Sequence, residues 1–168
     1  RGIAPFYGDK YLKINIQISD FLDRNRYAKR LKPILEIKNQ ILKAIYKKPI
    51  LSFEKLNNWG IFYAKKIEPY VCDTFPVIQK AISQGRKILL EAQLGTLRDP
   101  DHGIYPFSTS SSPLAGFASV GAGIPPQKIT RIIAVVKAYS TCVGAGPFVT
   151  ELTSKLGGEI REAGQEYG

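Results

Sequence analysis

The chain has 168 residues, 44% hydrophobic and 23% charged, which suits a globular protein with a real core and excludes a disordered one. No apolar run approaches the roughly 20 residues needed to cross a bilayer, so membrane spanning is excluded for these residues. The net charge of +10 is unevenly placed: residues 1–90 carry 18 Lys/Arg against 7 Asp/Glu, and residues 91–168 carry 6 against 7. A basic first half fits an anionic partner such as a phosphate ligand or nucleic acid, or simply a set of solvated helix faces.

Two cysteines, Cys72 and Cys142, lie far apart and match neither a zinc pattern nor a dense disulfide framework, which favours a reducing compartment. No signal peptide is visible, and a cytoplasmic location is expected. The chain has no methionine and opens on Arg1-Gly2-Ile3-Ala4-Pro5, so it reads as an internal piece of a longer protein.

Residues 1–13 are punctuated by Gly2, Pro5 and Gly8 and read as a loop, with Arg1, Lys10 and Lys13 as cations able to meet a phosphate. From Asp20 to Lys48, Leu31, Ile34/Leu35, Ile41/Leu42 and Ile45 recur at helical spacing. They predict one long helix, kinked or opened by Pro33 and stopped by Pro49. Ser52 is the expected cap of a second helix running to about Tyr70, with Leu56, Trp59/Ile61, Tyr63 and Ile67 on its buried face. Asp73 is the expected cap of a third, Thr74 to Gln84, closed by Gly85. Three successive helices make an all-helical insert in the first half, not alternating βα units.

The second half reads differently. Arg86–Glu91 and Ile132–Thr141 are short apolar runs that each empty into a polar, glycine-rich loop, as the strands of open α/β sheets do at their ligand-binding ends. The expected fold is therefore α/β, part of a mostly parallel sheet with the helical insert before it. The expected divisions are 1–19 as a phosphate loop and lead-in, 20–85 as the helical insert, and 86–168 as an incomplete sheet-and-loop core. In the first loop Asp99, Asp101 and His102 form a compact acid–base cluster. They serve either as metal ligands or as turn-formers in Pro/Gly-flanked bends, and the lone histidine excludes a multi-histidine metal site. Ser112 followed by Pro113 reads as a helix N-cap and first helical residue, an arrangement suited to anions. The second loop, Val143-Gly-Ala-Gly-Pro-Phe148, has neither Walker spacing nor a dinucleotide fingerprint, yet Gly144 and Gly146 permit close approach to the main chain.

Four stretches carry a specific resemblance. Asp99-Pro-Asp-His-Gly-Ile-Tyr-Pro-Phe-Ser-Thr-Ser-Ser-Ser112, Gly121-Ala-Gly-Ile-Pro-Pro126, Val136-Lys-Ala-Tyr-Ser-Thr141 and Val143-Gly-Ala-Gly-Pro-Phe-Val-Thr-Glu151 resemble the adenylosuccinate synthetase family, in a divergent bacterial-type form. Arg1-Gly-Ile-Ala-Pro5 with Asp9-Lys10, and the closing Gly164-Gln-Glu-Tyr-Gly168, are similar to flanking family segments. The resemblance implies a P-loop-related fold and the central part of a purine-biosynthetic ligase. That family joins inosine monophosphate (IMP) to L-aspartate using GTP and Mg2+, and works as a homodimer. It implies no catalytic residue in this chain, because the family's aspartate base and histidine acid lie in a segment not matched here. It also implies no metal ligand, and GTP and Mg2+ sites mostly outside these residues.

What the resemblance leaves here is part of an IMP pocket. Thr109 corresponds to the threonine on the 5′-phosphate, Val143 to the residue whose main chain meets the ribose, beside Gly144, and Gln93–Thr96 to the loop at the hypoxanthine. Lys13 falls where the family has an arginine reaching the phosphate from the other subunit, and lysine keeps the charge but loses the bidentate fork. Glu91-Ala-Gln-Leu-Gly95 replaces the family's Glu-Gly-Ala-Gln-Gly, so Leu94 holds the place of the base-binding glutamine and Gln93 stands one residue early. Cys142 stands where an arginine is usual. An alternative from another class is a non-catalytic paralogue, or a basic helical module binding nucleic acid or protein. Dispersed Lys/Arg without an aromatic-interleaved platform makes nucleic acid the weaker partner.

Overall fold

The computed structural model describes residues 2–166; Arg1, one of the three cations of the opening segment, and Tyr167–Gly168 of the closing motif lie outside the described residues. The chain divides into two units, Arg1–Thr74 and Phe75–Gly168.

The first unit is helical. Helix α1 spans Ile3–Tyr11, α2 Ile18–Leu22, α3 Arg24–Ala44 and α4 Phe53–Ile67, followed by a 3₁₀ turn at Glu68–Tyr70. The expected opening loop is thus a helix: Gly2 sits in the left-handed region before it, and Pro5 falls in the first turn, where no intrahelical N–H is needed. Lys13, also left-handed at φ 62°, ends it, and the Lys38 ammonium on Asp9 ties α1 to α3. The long predicted helix is broken at Asp23, whose carboxylate accepts from the amides of Asn25 and Arg26 and starts α3. Pro33 lies inside α3 on its exposed side.

The core of this unit is small: Tyr27, Leu31 and Leu35 on one stripe of α3, and Gly60 and Ala64 on α4. Asp20 is buried beside them and held by Arg26 at 2.8 Å and Arg30 at 3.5 Å. Ser52 caps α4 as its sequence suggests, accepting from the Lys55 amide. The expected buried face of α4 is corrected: Trp59 is 56% exposed and packs at a tilt against Tyr63, ring centroids 4.7 Å apart. The reason is Tyr27. Its ring lies against Gly60, and its hydroxyl donates to the Leu56 carbonyl at 3.1 Å, so the small residues of α4 face inward. Burial pushes the Tyr27 phenol up from its ordinary value.

The second unit contains α5 (Thr74–Ser83, the first residue at the boundary), a 3₁₀ turn at Thr96–Arg98, α6 (Phe117–Ala122), a 3₁₀ turn at Pro126–Lys128 and α7 (Lys155–Ala163). Gly85, with φ 65°, follows α5 in the left-handed conformation expected of it. The Gln79 amide donates to the Gly123 carbonyl at 3.0 Å and so links α5 to the end of α6.

The sheet is not found. No residue among those described is in a strand, so the α/β assignment and the parallel sheet are both corrected. Arg86–Glu91 and Ile132–Thr141 have no helical structure, but no backbone ladder pairs them. Their apolar side chains are open to solvent, Leu89 at 88% and Val135 at 93% exposed. An apolar run states that burial is favourable; a strand also needs a neighbour to receive its N–H and C=O groups, and local sequence does not specify that neighbour.

The Tyr27–Gly60 contact yields a test of the first unit. A Cβ on Gly60 would lie 2.3 Å from the Tyr27 ring. Gly60→Ala should therefore destabilise the unit by about 1–3 kcal/mol, despite alanine's advantage of about 1 kcal/mol in a helix. Urea unfolding followed by far-ultraviolet circular dichroism checks this, and Gly60→Ala with Tyr27→Leu should recover most of the loss.

Candidate functional site

The site is assembled from the loop between Glu91 and Ser112 and the loop from Cys142 to Phe148, both in the second unit. Asp99 organises the first. It is 1% exposed, and its Oδ1 accepts from the amides of Asp101 and His102, each at 2.9 Å, while Oδ2 accepts from the Ser112 hydroxyl. Ser112 in turn accepts from the Leu114 amide at 3.3 Å. The hydrogen bonds, that from Ser112 first and those from the two amides after it, hold the Asp99 carboxyl below its usual range against the opposing effect of burial, and His102 adds a favourable charge. Of the two roles open to Asp99 in the sequence, the structure displays turn formation: its oxygens close a tight bend. Gly103 completes that bend, since a Cβ there would lie 2.4 Å from the Asp99 carbonyl oxygen and 2.5 Å from that of Leu97.

The predicted helix start at Ser112-Pro113 is corrected. Helix α6 begins only at Phe117, with Gly116 as its N-cap, because the Ser112 hydroxyl is engaged with Asp99 and Leu114. The anion-suited helix start expected beside Thr109 is therefore absent from the geometry. Thr109 itself is half-buried, and its amide donates to the Arg98 carbonyl at 2.8 Å. Between them the Tyr105–Pro106 peptide bond is cis.

Arg98 also reaches outward. Its guanidinium donates to the Phe107 carbonyl and to the Cys142 Sγ. The Phe107 ring lies against Gly146, where a Cβ would sit 2.7 Å from Cγ. Gly146 has φ 124° and Gly144 φ 101°, conformations that favour glycine, and no atom would crowd a Cβ at Gly144. Val143 is 70% exposed. The structure thus brings the loop of Thr109 and the loop of Val143 and Gly144 together through Arg98, Phe107 and Gly146.

The remaining predicted residues join less closely. Gln93 Nε2 is 3.5 Å from Glu91 Oε1, at the limit of a hydrogen bond, and Leu94 is exposed in the left-handed region at φ 81°. Both are connected to Arg98 through Gly95 and the 3₁₀ turn. Lys13 belongs to the first unit, exposed at the end of α1. Two surface concavities, about 520 Å3 along α7 and about 350 Å3 between α3 and Leu51–Phe53, are lined by none of these residues. Arg98 is the residue that sequence reasoning missed. Its only signal was that it is the one Lys or Arg between Ala92 and Gln127.

Comparison with known proteins decides the family. The family model described as adenylosuccinate synthetase matches residues 1–168, the whole chain. The chain belongs to the adenylosuccinate synthetase family. It is 45% identical over 168 residues to the adenylosuccinate synthetases of Frankia casuarinae and Thermobifida fusca, and 46% identical to that of Carboxydothermus hydrogenoformans. In each case it covers 100% of this chain and 39% of the relative. The solved structure of fully ligated adenylosuccinate synthetase from Plasmodium falciparum matches with a TM-score of 0.89 at 30% identity, again over 100% of this chain and 39% of that one. The chain therefore spans about two-fifths of the length of the family members it matches, and among the described residues no helix is long and apolar enough to cross a membrane.

The Asp99 bend predicts an acid response. Because the folded state favours ionised Asp99, the stability it contributes is fully present above the ordinary carboxylate range near pH 4 and is lost as pH falls through the lower folded value. In Asp99→Asn that portion of the acid destabilisation should disappear, and the variant should be less stable than the parent at pH 7. Thermal melts from pH 2 to 7 check both.

Proposed function

We propose that this chain is the central portion of an adenylosuccinate synthetase and supplies part of its IMP site. In the reaction of the family, the 6-oxygen of IMP accepts the γ-phosphoryl group of GTP, leaving GDP. The amine of L-aspartate then forms the new C–N bond as phosphate departs with that oxygen, giving adenylosuccinate. Mg2+ supports the phosphoryl transfer by neutralising charge on the phosphate oxygens. The family match along all 168 residues supports the activity. The observation that carries the assignment of this region is the junction of the two loops: one arginine engages the Thr109 loop and the residue before Val143.

In this proposal Thr109 donates its hydroxyl to the 5′-phosphate of IMP, and the main chain at Val143 and Gly144 meets the ribose. Gln93 and Leu94 border the base. Leu94 offers packing in place of an amide's hydrogen bonds, and Gln93 is the nearest side chain able to bond the purine edge. Lys13 supplies a cation to the phosphate from the second subunit of a homodimer, as a point charge without arginine's fork. GTP and Mg2+ bind mostly to parts of the enzyme outside this chain, and none of these residues is assigned a catalytic proton transfer.

Calorimetric titration of the full-length protein with IMP tests this function. Binding in the micromolar range is expected, and Thr109→Val should weaken it roughly 10- to 100-fold, the value of a hydrogen bond to a charged group. Absence of heat at millimolar IMP, or an unchanged affinity in the variant, overturns the assignment.

A further inference from the structure

The loops that hold Thr109 and Val143 are irregular apart from the Thr96–Arg98 3₁₀ turn, and among the described residues no strand ladder supports either. Irregular loops form a precise site only when something fixes them to one another. Arg98 is placed to do so by three bonds with different origins. Its backbone carbonyl accepts from the Thr109 amide. One end of its guanidinium donates to the Phe107 carbonyl, two residues before Thr109, and the other to the Cys142 sulfur, one residue before Val143. The contact of Phe107 with Gly146 lies alongside and is independent of the guanidinium. Among the described residues no salt bridge to a carboxylate engages Arg98. A planar fork can serve two acceptors at once, which an ammonium group does less well.

We propose that Arg98 is a positioning residue for the nucleotide: its guanidinium clamps the Tyr105–Thr109 loop to the Cys142–Gly146 loop, and leaves a fixed positive charge beside the place taken by the phosphate. The clamp sets the spacing between phosphate and ribose contacts before the ligand arrives. Cys142 is the small side chain that leaves room for the guanidinium, and a second cation at that position would repel it. The role of the clamp in binding rests on the IMP assignment above, whereas the clamp itself does not.

The test uses the full-length protein, with hydrogen exchange measured without ligand and calorimetry measured with IMP. Arg98→Met keeps the aliphatic stem and removes the fork. It should speed exchange at least fivefold at the amides of both Phe107–Thr109 and Val143–Gly146 and weaken IMP about tenfold. Arg98→Lys should fall between Arg98→Met and the parent. Cys142→Arg should disturb both loops by like-charge repulsion, and the double variant Arg98→Met with Cys142→Arg should recover to within about threefold of the parent by restoring one guanidinium to the gap. Unchanged exchange in Arg98→Met, or a double variant no better than the worse single one, overturns the clamp. If the parent protein fails to bind IMP, the functional assignment fails, and the exchange data still decide the clamp. If Arg98→Met loosens both loops yet binds IMP as tightly as the parent, the positioning role is overturned.

Discussion

A buried carboxylate is the constraint on which the second unit depends. Asp99 sits almost without solvent in a loop whose only regular element is the 3₁₀ turn just before it, and it is affordable there only because three donors surround it. Those bonds draw Asp101, His102 and Ser112 onto one point and return the chain on itself within 14 residues. The return places the Thr109 amide against the Arg98 carbonyl, and it leaves the Arg98 side chain pointing toward the second loop. Charge is thus used twice in adjacent residues: the anion of Asp99 folds the loop inward, and the cation of Arg98 joins it outward.

The first unit works by different means. Its helices are held by a thin apolar stripe on α3, by the fit of Tyr27 against Gly60, and by Asp20 with two arginines. Among the described residues of this half, Arg26, Arg30 and Lys38 form ion pairs, and most other cations are exposed along helix faces. The positive charge of residues 1–90 is therefore diffuse, while the cation with the most specific geometry, Arg98, belongs to the nearly neutral half. Net charge was a poor guide to the place where charge is used, because the effect of a single fixed guanidinium depends on its acceptors and not on the total.

Under the proposed IMP assignment this geometry has a purpose: a nucleotide with a phosphate at one end and a base at the other requires contacts set several ångströms apart on surfaces that do not drift. Loops with Gly144 and Gly146 permit close approach of ligand to backbone but supply little rigidity of their own. The Asp99 bend, the Phe107–Gly146 contact and the Arg98 bonds supply it from side chains. The three departures that the resemblance implies are unequal in this light. At Cys142, where the resemblance implies an arginine, the Arg98 guanidinium donates to the sulfur. Leu94 occupies left-handed backbone that most residues avoid, and Lys13 retains charge alone.

By itself the sequence determined what short-range physics can determine. Ser52 as a cap, Gly85 as a helix end, the apolar stripe of α3 and, as one of two readings, the turn chemistry of Asp99 all depend on residues within a few positions, and each was legible. The family was legible too, because its motifs are long and specific. Only the tertiary structure decided the rest. Arg86–Glu91 and Ile132–Thr141 have the composition of strands, yet pairing is a property of a neighbour and not of the run, and among the described residues no neighbour supplies it. Ser112 carries a capping signal that Asp99, 13 residues earlier, takes for its own use. Trp59 was set outward and Gly60 inward by Tyr27, 33 residues away from Gly60. The role of Arg98 spans 44 residues to Cys142, a distance over which no local pattern carries information and at which contact alone assigns the partner.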